Sequence, residues 1–433
     1  MERTWTAELP RRCGERVLLK GWLHRLRRLS GVSFLVLRDA RGLAQVVIED
    51  ADLANALAGL NAESVLEVAG RAVAAEQAPA GVEVREPEVR VLVPAVEAPA
   101  VPLFQPSLRA RLPTLLDHAP VTLRHPRRRA SFELSAASMA GFRASLRARG
   151  FTEIQTPKIV AAATEGGANV FPVDYFGRRA YLAQSPQFYK QTMVGVFERV
   201  FEVGPAFRAE PHDTPRHLNE YVSLDAEMGF IRDHRDVMAV LRDVIAGMAE
   251  AVAAEAPAAV ALAEASLPEV PAAIPSVDFR AAQGLISAAT GEDLSGELDL
   301  APAHEAWLGE WARREHGSDL LFVTGYPMAK RPFYTHPDPV EPARSNSFDL
   351  IFRGQELVTG GQRLHRHDAY LAALAARGQD PAPFAGYLDA FRHGMPPHGG
   401  FAIGLERWVA RLVGASNVRE TTLFPRDLTR LVP

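Results

Sequence analysis

The chain has 433 residues and a single cysteine, Cys13. That excludes a disulfide framework and any zinc site built from cysteines, and it suits a reducing compartment. Long apolar runs are missing: nowhere do about 18 apolar residues follow one another, and the opening MERTWTAELPRR has no apolar core of signal length. The expectation is a cytoplasmic protein with no membrane partner. Lysine is scarce, for only Lys20, Lys158, Lys190 and Lys330 stand among the 48 basic residues. In a chain so biased to arginine, a lysine points to a place where a compact ammonium is wanted. The sequence also has no P-loop, no Rossmann glycine fingerprint and no Ser-His-Asp arrangement.

What is present is an ordinary globular composition, 47% hydrophobic and 23% charged, long enough for two or three domains with a large core. The formal charge of −4 is unevenly spread, since from Met1 to Gly31 eight Lys or Arg stand against three Glu. A second basic cluster, RHPRRR, runs from Arg124 to Arg129. Each is either a solvated face or part of a polyanion-binding surface.

The densest chemistry lies in Phe201–Phe230, FEVGPAFRAEPHDTPRHLNEYVSLDAEMGF. It reads as two antiparallel strands joined by a loop too long and too polar for a tight hairpin. Ser223, Asp225 and Glu227 are two apart on the return strand and so point to one face. Two carboxylates there, with Arg208 and Glu210 nearby, are costly to bury without cationic or metal-bound partners. A solvated hairpin with a charged outer face is the other reading.

In chain order, the first hundred residues read as five strands: VLLKGWLHRL, VSFLVLRDA, LAQVVIED, SVLEVAGRAVA and VEVREPEVRVLVP. The helix ADLANALAGL follows the third, the pattern of an OB-fold, although another small barrel fits it almost as well. Pro-rich VPAVEAPAVPLFQPSL breaks regular structure as a hinge. A helix through RRRASFELSAASMAGFRASLRARG and an edge strand FTEIQTPKIV follow, a candidate self-association surface. Glu165 sits at a Gly-rich loop tip, and SPQFYKQTMVGV opens a helix at Ser185 with Gln187 and Lys190 on one face. SNSFDLIFRGQELVTGGQRLHR places Asp349, Glu356 and Arg363 seven apart across a strand pair with an Arg-Gly turn, expected to serve one site. GMPPHGGFAIGLERWVARLVG carries Arg407 on the first turn of a helix. The inventory is arginines from separate segments, plus Asp349, Glu356 and Glu227 as carboxylates able to hold magnesium. Without a nucleophile, this fits nucleotidyl or phosphoryl chemistry done by positioning and charge neutralisation.

The blocks ATEGGANVFPV, QSPQFYKQ, FRAE with RHLNEY and LDAEM, RPFYT, FDLIFRGQELVTGGQR and GMPPHGGFAIGLER together resemble aspartyl-tRNA synthetases of the archaeal and eukaryotic layout. TPKIV with its helix, FRAE and GLER resemble motifs 1, 2 and 3 of the class II enzymes. The resemblance spans the chain from the barrel to FPRD. It implies an α+β protein in three parts: an OB-fold anticodon-binding domain at 1–104, a hinge at 105–125, and a class II catalytic domain at 126–433 with a mostly antiparallel sheet flanked by helices. The implied activity is ATP-dependent attachment of L-aspartate to tRNA(Asp) through an aspartyl-adenylate, by a cytoplasmic homodimer using Mg²⁺. Some similar enzymes also aspartylate tRNA(Asn), and the surface around His24 and residues 78–81 is implied to decide that.

The residue roles are implied in the same way. Arg208, Glu356 and Arg407 would be catalytic, and Arg208, Glu210, His217, Glu356 and Arg407 would bind ATP. Glu165, Ser185, Gln187, Lys190, Asp225 and Arg363 would bind aspartate; Asp349 and Glu356 would hold Mg²⁺; Phe34, Gln45 and Glu63 would read the anticodon. The asparagine-specific relative typically lacks the lysine of QSPQxxK and has Glu at the place of Asp225, so Lys190 and Asp225 favour aspartate. The alternative is a synthetase-like paralogue that binds RNA or makes asparagine without charging tRNA; such proteins often lose the barrel or a motif arginine, and here both are intact.

Overall fold

The structure is a computed structural model, and it describes residues 1–161 and 169–432. The chain divides into two compact units, Met1–Arg129 and Ala130–Val432. No helix among the described residues is long and apolar enough to cross a membrane.

In the first unit, β1 (Arg16–Leu29), β2 (Val32–Arg38), β3 (Leu43–Ile48), β4 (Val65–Ala74) and β5 (Val82–Val93) close a barrel in the order β1-β2-β3-β5-β4. The helix Ala51–Leu57 follows β3, capped by Asp50, whose carboxylate accepts from the Asp52 and Leu53 amides. Period-2 alternation puts Leu19, Leu35, Leu37, Val46, Val68 and Val84 inside the barrel. Barrel closure pairs every edge, as the OB pattern requires. Residues 105–125, read above as a hinge, carry two short helices, Leu112–Asp117 and Ala119–Thr122, and belong to the first unit.

The second unit is built on an eight-stranded sheet. Its members, in chain order, are β6 (Thr152–Glu153), β10 (Arg199–Phe207), β11 (Glu220–Gly229), β12 (Ser276–Asp278), β13 (Leu320–Thr324), β14 (Ser347–Phe352), β15 (Gln355–Arg363) and β16 (His398–Gly404). The spatial order is β12-β13-β14-β15-β16-β11-β10-β6, antiparallel except for the β12–β13 and β6–β10 pairs. A separate three-stranded sheet holds β7 (Ile159–Val160), β8 (Pro172–Tyr175) and β9 (Arg178–Leu182). The single edge strand read through TPKIV is thus two short strands in different sheets, because Pro157 between them has no amide hydrogen to continue a ladder.

The two faces of the large sheet differ in chemistry. Leu224, Ala226, Phe348, Leu350, Phe401 and Ile403 pack one face onto the helices Pro126–Arg147 and His234–Glu255, which contribute Leu134, Phe142, Leu241 and Ile245. On the other face, directly paired residues run in rows across strands: Asp225, Ala402, Thr359 and Asp349; then Glu227, Gly400 and Gly361; then His398 and Arg363. Alternation in β16 therefore puts His398, Gly400, Ala402 and Gly404 on this face, a floor of mostly small residues beneath charged side chains. A side chain at Gly400 would run into the Glu227 carboxylate and the Ala226 carbonyl.

Candidate active site

Three ion-pair contacts among four residues lie buried on the polar face of the sheet. Lys190, on the helix Gln187–Phe197, places Nζ 3.0 Å from Asp225 Oδ1 and 3.3 Å from Glu227 Oε2. Arg363 Nε donates to Glu227 Oε1 at 3.0 Å, and its Nη2 donates to the Gly400 carbonyl at 3.1 Å. Ser223 Oγ donates to Asp225 Oδ2 at 2.5 Å. Lys190, Asp225 and Glu227 are each no more than 1% exposed. Burial opposes ionisation of Glu227, but Arg363 and Lys190 outweigh it and hold the carboxyl below its usual range. Two cations and two anions thus balance inside the protein, an arrangement that holds only while all partners stay in place. Glu227, grouped above with the magnesium carboxylates, is committed instead to these cations.

The same face opens into a cleft enclosing about 690 Å³ of space, counting the part open to solvent, which is within the usual range for ligand pockets. Arg208, Glu210, Arg216, His217, Glu356 and Arg407 line it. Arg208 and Glu210 stand just beyond β10, where Asn219 Nδ2 donates to the Arg208 carbonyl at 2.6 Å and the Arg208 amide donates to the Asn219 carbonyl at 2.9 Å. Three of the ion pairs here are loose, 3.7 Å for Arg208–Glu210, 3.6 Å for His217–Glu210 and 3.7 Å for Arg407–Glu356, whereas Arg216 donates closely to Glu305. Burial lowers the His217 pKa against the opposing pull of Glu210. Arg407 stands on the first turn of the helix Leu405–Val413, and its Nη1 donates to the Glu356 carbonyl at 3.3 Å.

The turn between β14 and β15 explains how Asp349, Glu356 and Arg363 relate. Arg353 and Gly354 take φ of 48° and 74°, the twist a two-residue hairpin needs. A bulge at Leu357, which faces no partner between Ile351↔Glu356 and Leu350↔Val358, shifts the alternation and turns Glu356 to the face of Thr359 and Arg363. The three residues share a face yet enter different ion pairs. Glu356 reaches the cleft and Arg363 joins Lys190, while Asp349 lies buried against Arg331 at 3.0 Å. Burial pushes the Asp349 carboxyl up to about 6 despite Arg331. Sequence reading missed Arg331, although it stands in the RPFYT block, and also Thr359 and Glu406, which line the cleft.

Among the described residues no group of three or more His, Cys, Asp or Glu is placed to hold a metal alone. A magnesium-sized cation nevertheless needs only one or two carboxylates when phosphates complete its shell. The hairpin provides that donor set: Glu356 in the cleft, the Thr359 hydroxyl 3.4 Å from Glu356 Oε1, and Asp349, whose buried Oδ1 has no hydrogen-bond partner among the described residues. The residues fit such an ion.

Ser185 and Gln187 stand at the entry to the lysine helix. Ser185 Oγ accepts from the Gln187 amide at 3.4 Å, and the Gln187 Nε2 is buried with no hydrogen-bond partner among the described residues. The helix runs from Gln187 with Pro186 at its N-cap, so Ser185, where the sequence reading opened it, stands just ahead of its first turn. Glu165 lies outside the described residues.

On the barrel, Phe34 and Gln45 share the outer face of β2 and β3, and Arg27 stands 5.5 Å from the Phe34 ring centroid. Glu63 does not join them. It is buried, its Oε2 accepts from Arg38 at 2.6 Å and from Arg124 at 3.1 Å, and its Oε1 has no hydrogen-bond partner among the described residues. The carboxylate beside Gln45 is that of Glu83, which accepts from Gln45 Nε2 at 3.2 Å. Alternation through VEVREP would have placed Glu83 there. His24 is buried, and burial takes its imidazole down to about 4. Residues Pro79–Gly81 form a short turn leading into β5.

A family model described as tRNA synthetases class II (D, K and N) matches residues 112–428, and one described as OB-fold nucleic acid binding domain matches residues 17–92. The chain belongs to the class II tRNA synthetases. As a class II synthetase it is 47% identical to the aspartate–tRNA(Asp/Asn) ligase of Deinococcus radiodurans, over all of this chain and 99% of the relative. It is equally 47% identical to the enzyme of that name from Thermus thermophilus, over the full length of both. Among solved structures it is similar to the asparaginyl-tRNA synthetase of Pyrococcus horikoshii complexed with asparaginyl-adenylate, with a TM-score of 0.92 and 29% identity over all of both chains. The aspartyl tRNA synthetase of Entamoeba histolytica gives a TM-score of 0.89 at 28% identity, over all of this chain and 93% of that one.

Proposed function

We propose that this synthetase attaches L-aspartate to tRNA(Asp), and also to tRNA(Asn), through an aspartyl-adenylate. The observation that carries the reading is the buried set of Lys190, Asp225, Glu227 and Arg363 beside an arginine-lined cleft. A side-chain carboxylate accepts from an ammonium and a guanidinium there, while an amide in its place turns an NH2 donor toward cations that can only donate. Asp225 and Glu227 hold the two cations in position, and Glu165, Ser185 and Gln187 take the α-amino end.

Catalysis then proceeds by positioning and charge. The aspartate α-carboxylate attacks the α-phosphorus of ATP in line; a new P–O bond forms, the bond to the β-phosphate breaks, and pyrophosphate leaves. Arg208 takes up charge on the α-phosphate, Glu210 and His217 hold the adenine and terminal-phosphate side, and Arg407 covers the adenine. Glu356 and Asp349, with the Thr359 hydroxyl, would hold Mg²⁺, which supplies neutralisation of phosphate charge. In the second step the 3′-hydroxyl of the terminal adenosine of tRNA attacks the aspartyl carbonyl and AMP leaves. Neither step needs a side-chain nucleophile.

The barrel at 1–104 would bind the anticodon through Phe34 and Gln45, with 105–125 as hinge and 126–433 as catalytic domain in a cytoplasmic homodimer. The names of the Deinococcus and Thermus relatives support the wider tRNA range. Charging assays with aspartate on both tRNAs test it: comparable charging is expected, a strong preference for tRNA(Asp) removes the relaxed specificity, and charging of neither overturns the function.

A further inference from the structure

Behind the lysine and arginine pair lies a polar network that the proposed chemistry does not use. Gln191 and His398 are wholly buried, as is Tyr370, and Tyr387 is nearly so. His398 Nδ1 lies 2.9 Å from the Pro396 carbonyl, which can only accept, so Nδ1 carries the proton. The Nε2 of a neutral ring is then an acceptor, and Gln191 Nε2 donates to it at 2.9 Å. Gln191 Nε2 also donates to Tyr370 Oη at 3.1 Å, and Gln191 Oε1 accepts from Tyr387 Oη at 2.9 Å. Tyr370 Oη donates to the Leu364 carbonyl at 2.8 Å, and the single Tyr387 proton is shared between Gln191 Oε1 and Tyr370 Oη, which lies 2.8 Å away. A flipped Gln191 amide would need a second proton on His398, next to Arg363. Burial keeps that proton off, against the pull of Glu227. The groups facing His398 are thus Glu227 from β11, Arg363 from β15, His365 just beyond β15, Gln191 from the lysine helix, and the ring of Phe391 at 6.0 Å.

The network joins the backbone elements that carry the two cations. Gln191 follows Lys190 on its helix, Leu364 follows Arg363, and His398 is the strand partner of Arg363. The rings are themselves locked, with Phe188 stacked on Tyr387 at 4.3 Å and Phe391 against Tyr370 at 4.2 Å. Every polar bond in the set is one of few arrangements that satisfy all donors and acceptors, and such networks specify a unique geometry.

We infer that Gln191, His398, Tyr370 and Tyr387 are positioning residues that fix Lys190 and Arg363 against each other, and so set how tightly and how selectively the amino-acid side chain is read. This rests on the function proposed above. None of the four lines the cleft proposed for ATP, so substitutions among them should leave ATP binding close to normal.

The test is pyrophosphate exchange by the full-length protein, with aspartate and ATP varied separately. Tyr370→Phe removes the donor to Leu364 and the acceptor for Gln191. It is expected to raise the KM for aspartate about tenfold, within the span reached by mutations acting through packed networks, with the KM for ATP within about twofold. Tyr387→Phe, which loses a single donor, should give a smaller rise in the same direction. It also serves if Tyr370→Phe fails to fold. Gln191→Glu should weaken aspartate most at high pH, where neutral His398 Nε2 and the new carboxylate face each other as two acceptors, and least at low pH, where His398 takes up a proton and can donate to it. Unchanged aspartate KM in the phenylalanine variants, or equal rises for aspartate and ATP, overturns the inference while leaving the function standing. Absence of aspartate-dependent exchange in the unaltered protein overturns both.

Discussion

The buried cluster and the open cleft share one sheet face but are built on opposite electrostatic plans. Lys190 with Asp225, and Arg363 with Glu227, pair at 3.0 Å with almost no exposure. Arg208–Glu210 and Arg407–Glu356 pair at 3.7 Å, with the Arg208 and Arg407 side chains 42% and 26% exposed. Loose half-exposed pairs contribute about 0–1 kcal/mol, whereas breaking a buried one costs about 3–5 kcal/mol. The difference suits the ligands proposed for each. A small amino acid is read by groups fixed before it arrives, and a polyanion that brings its own charge is met by arginines whose ion pairs are loose.

Removing one cation from the closed set should have the largest effect. Lys190→Ala leaves Asp225 and Glu227 with less compensation, so aspartate-dependent pyrophosphate exchange should fall about a thousandfold and the melting temperature should drop; near-normal exchange breaks the contrast. Arg363→Lys keeps the charge and loses the fork, and kcat/KM for aspartate should fall about a hundredfold. In the cleft, Arg407→Ala should raise the KM for ATP about tenfold with little change in melting temperature. A thermal shift as large as that of Lys190→Ala would put the two sites on the same plan.

A pH experiment sharpens the contrast at the boundary of the cleft. Burial raises the Glu406 carboxyl to about 7, against the Val222 amide that donates to it. The folded value lies above the unfolded one near 4.5, so the contribution of this group to stability is full below about 4.5 and is lost as pH rises to about 7. Glu406→Gln should therefore gain on the unaltered protein by about 2–4 °C in melting temperature between pH 5 and pH 7.5, by calorimetry. The smallest effect is from salt: raising ionic strength from about 0.05 to 0.5 M should weaken ATP binding more than aspartate binding, since the exposed pairs are the screened ones.

Much of this was legible in the sequence because it depends on short-range periodicity. Alternation in EYVSLDAEMGF set Ser223, Asp225 and Glu227 on one face, and the strand-helix-strand order of the first hundred residues matches the closed barrel. What stayed hidden depends on contacts distant in the chain. Glu227 reads as an open carboxylate until Arg363 and Lys190 are folded onto it, and Asp349 does so until Arg331 is. Glu63 and Glu83 are alike as letters, and only pairing shows that Arg38 and Arg124 take the first while the second stands by Gln45. The bulge at Leu357 leaves no mark in QELVTGG, yet it turns Glu356 into the cleft.

The central claim is that a preset pair of buried cations reads an acid and not its amide. Pyrophosphate exchange driven by aspartate and by asparagine, compared as kcat/KM on the unaltered protein, tests it most directly. Aspartate should lead by about a thousandfold or more, because an amide turns an NH2 donor toward buried cations that can only donate. Asparagine within about tenfold of aspartate would contradict the account.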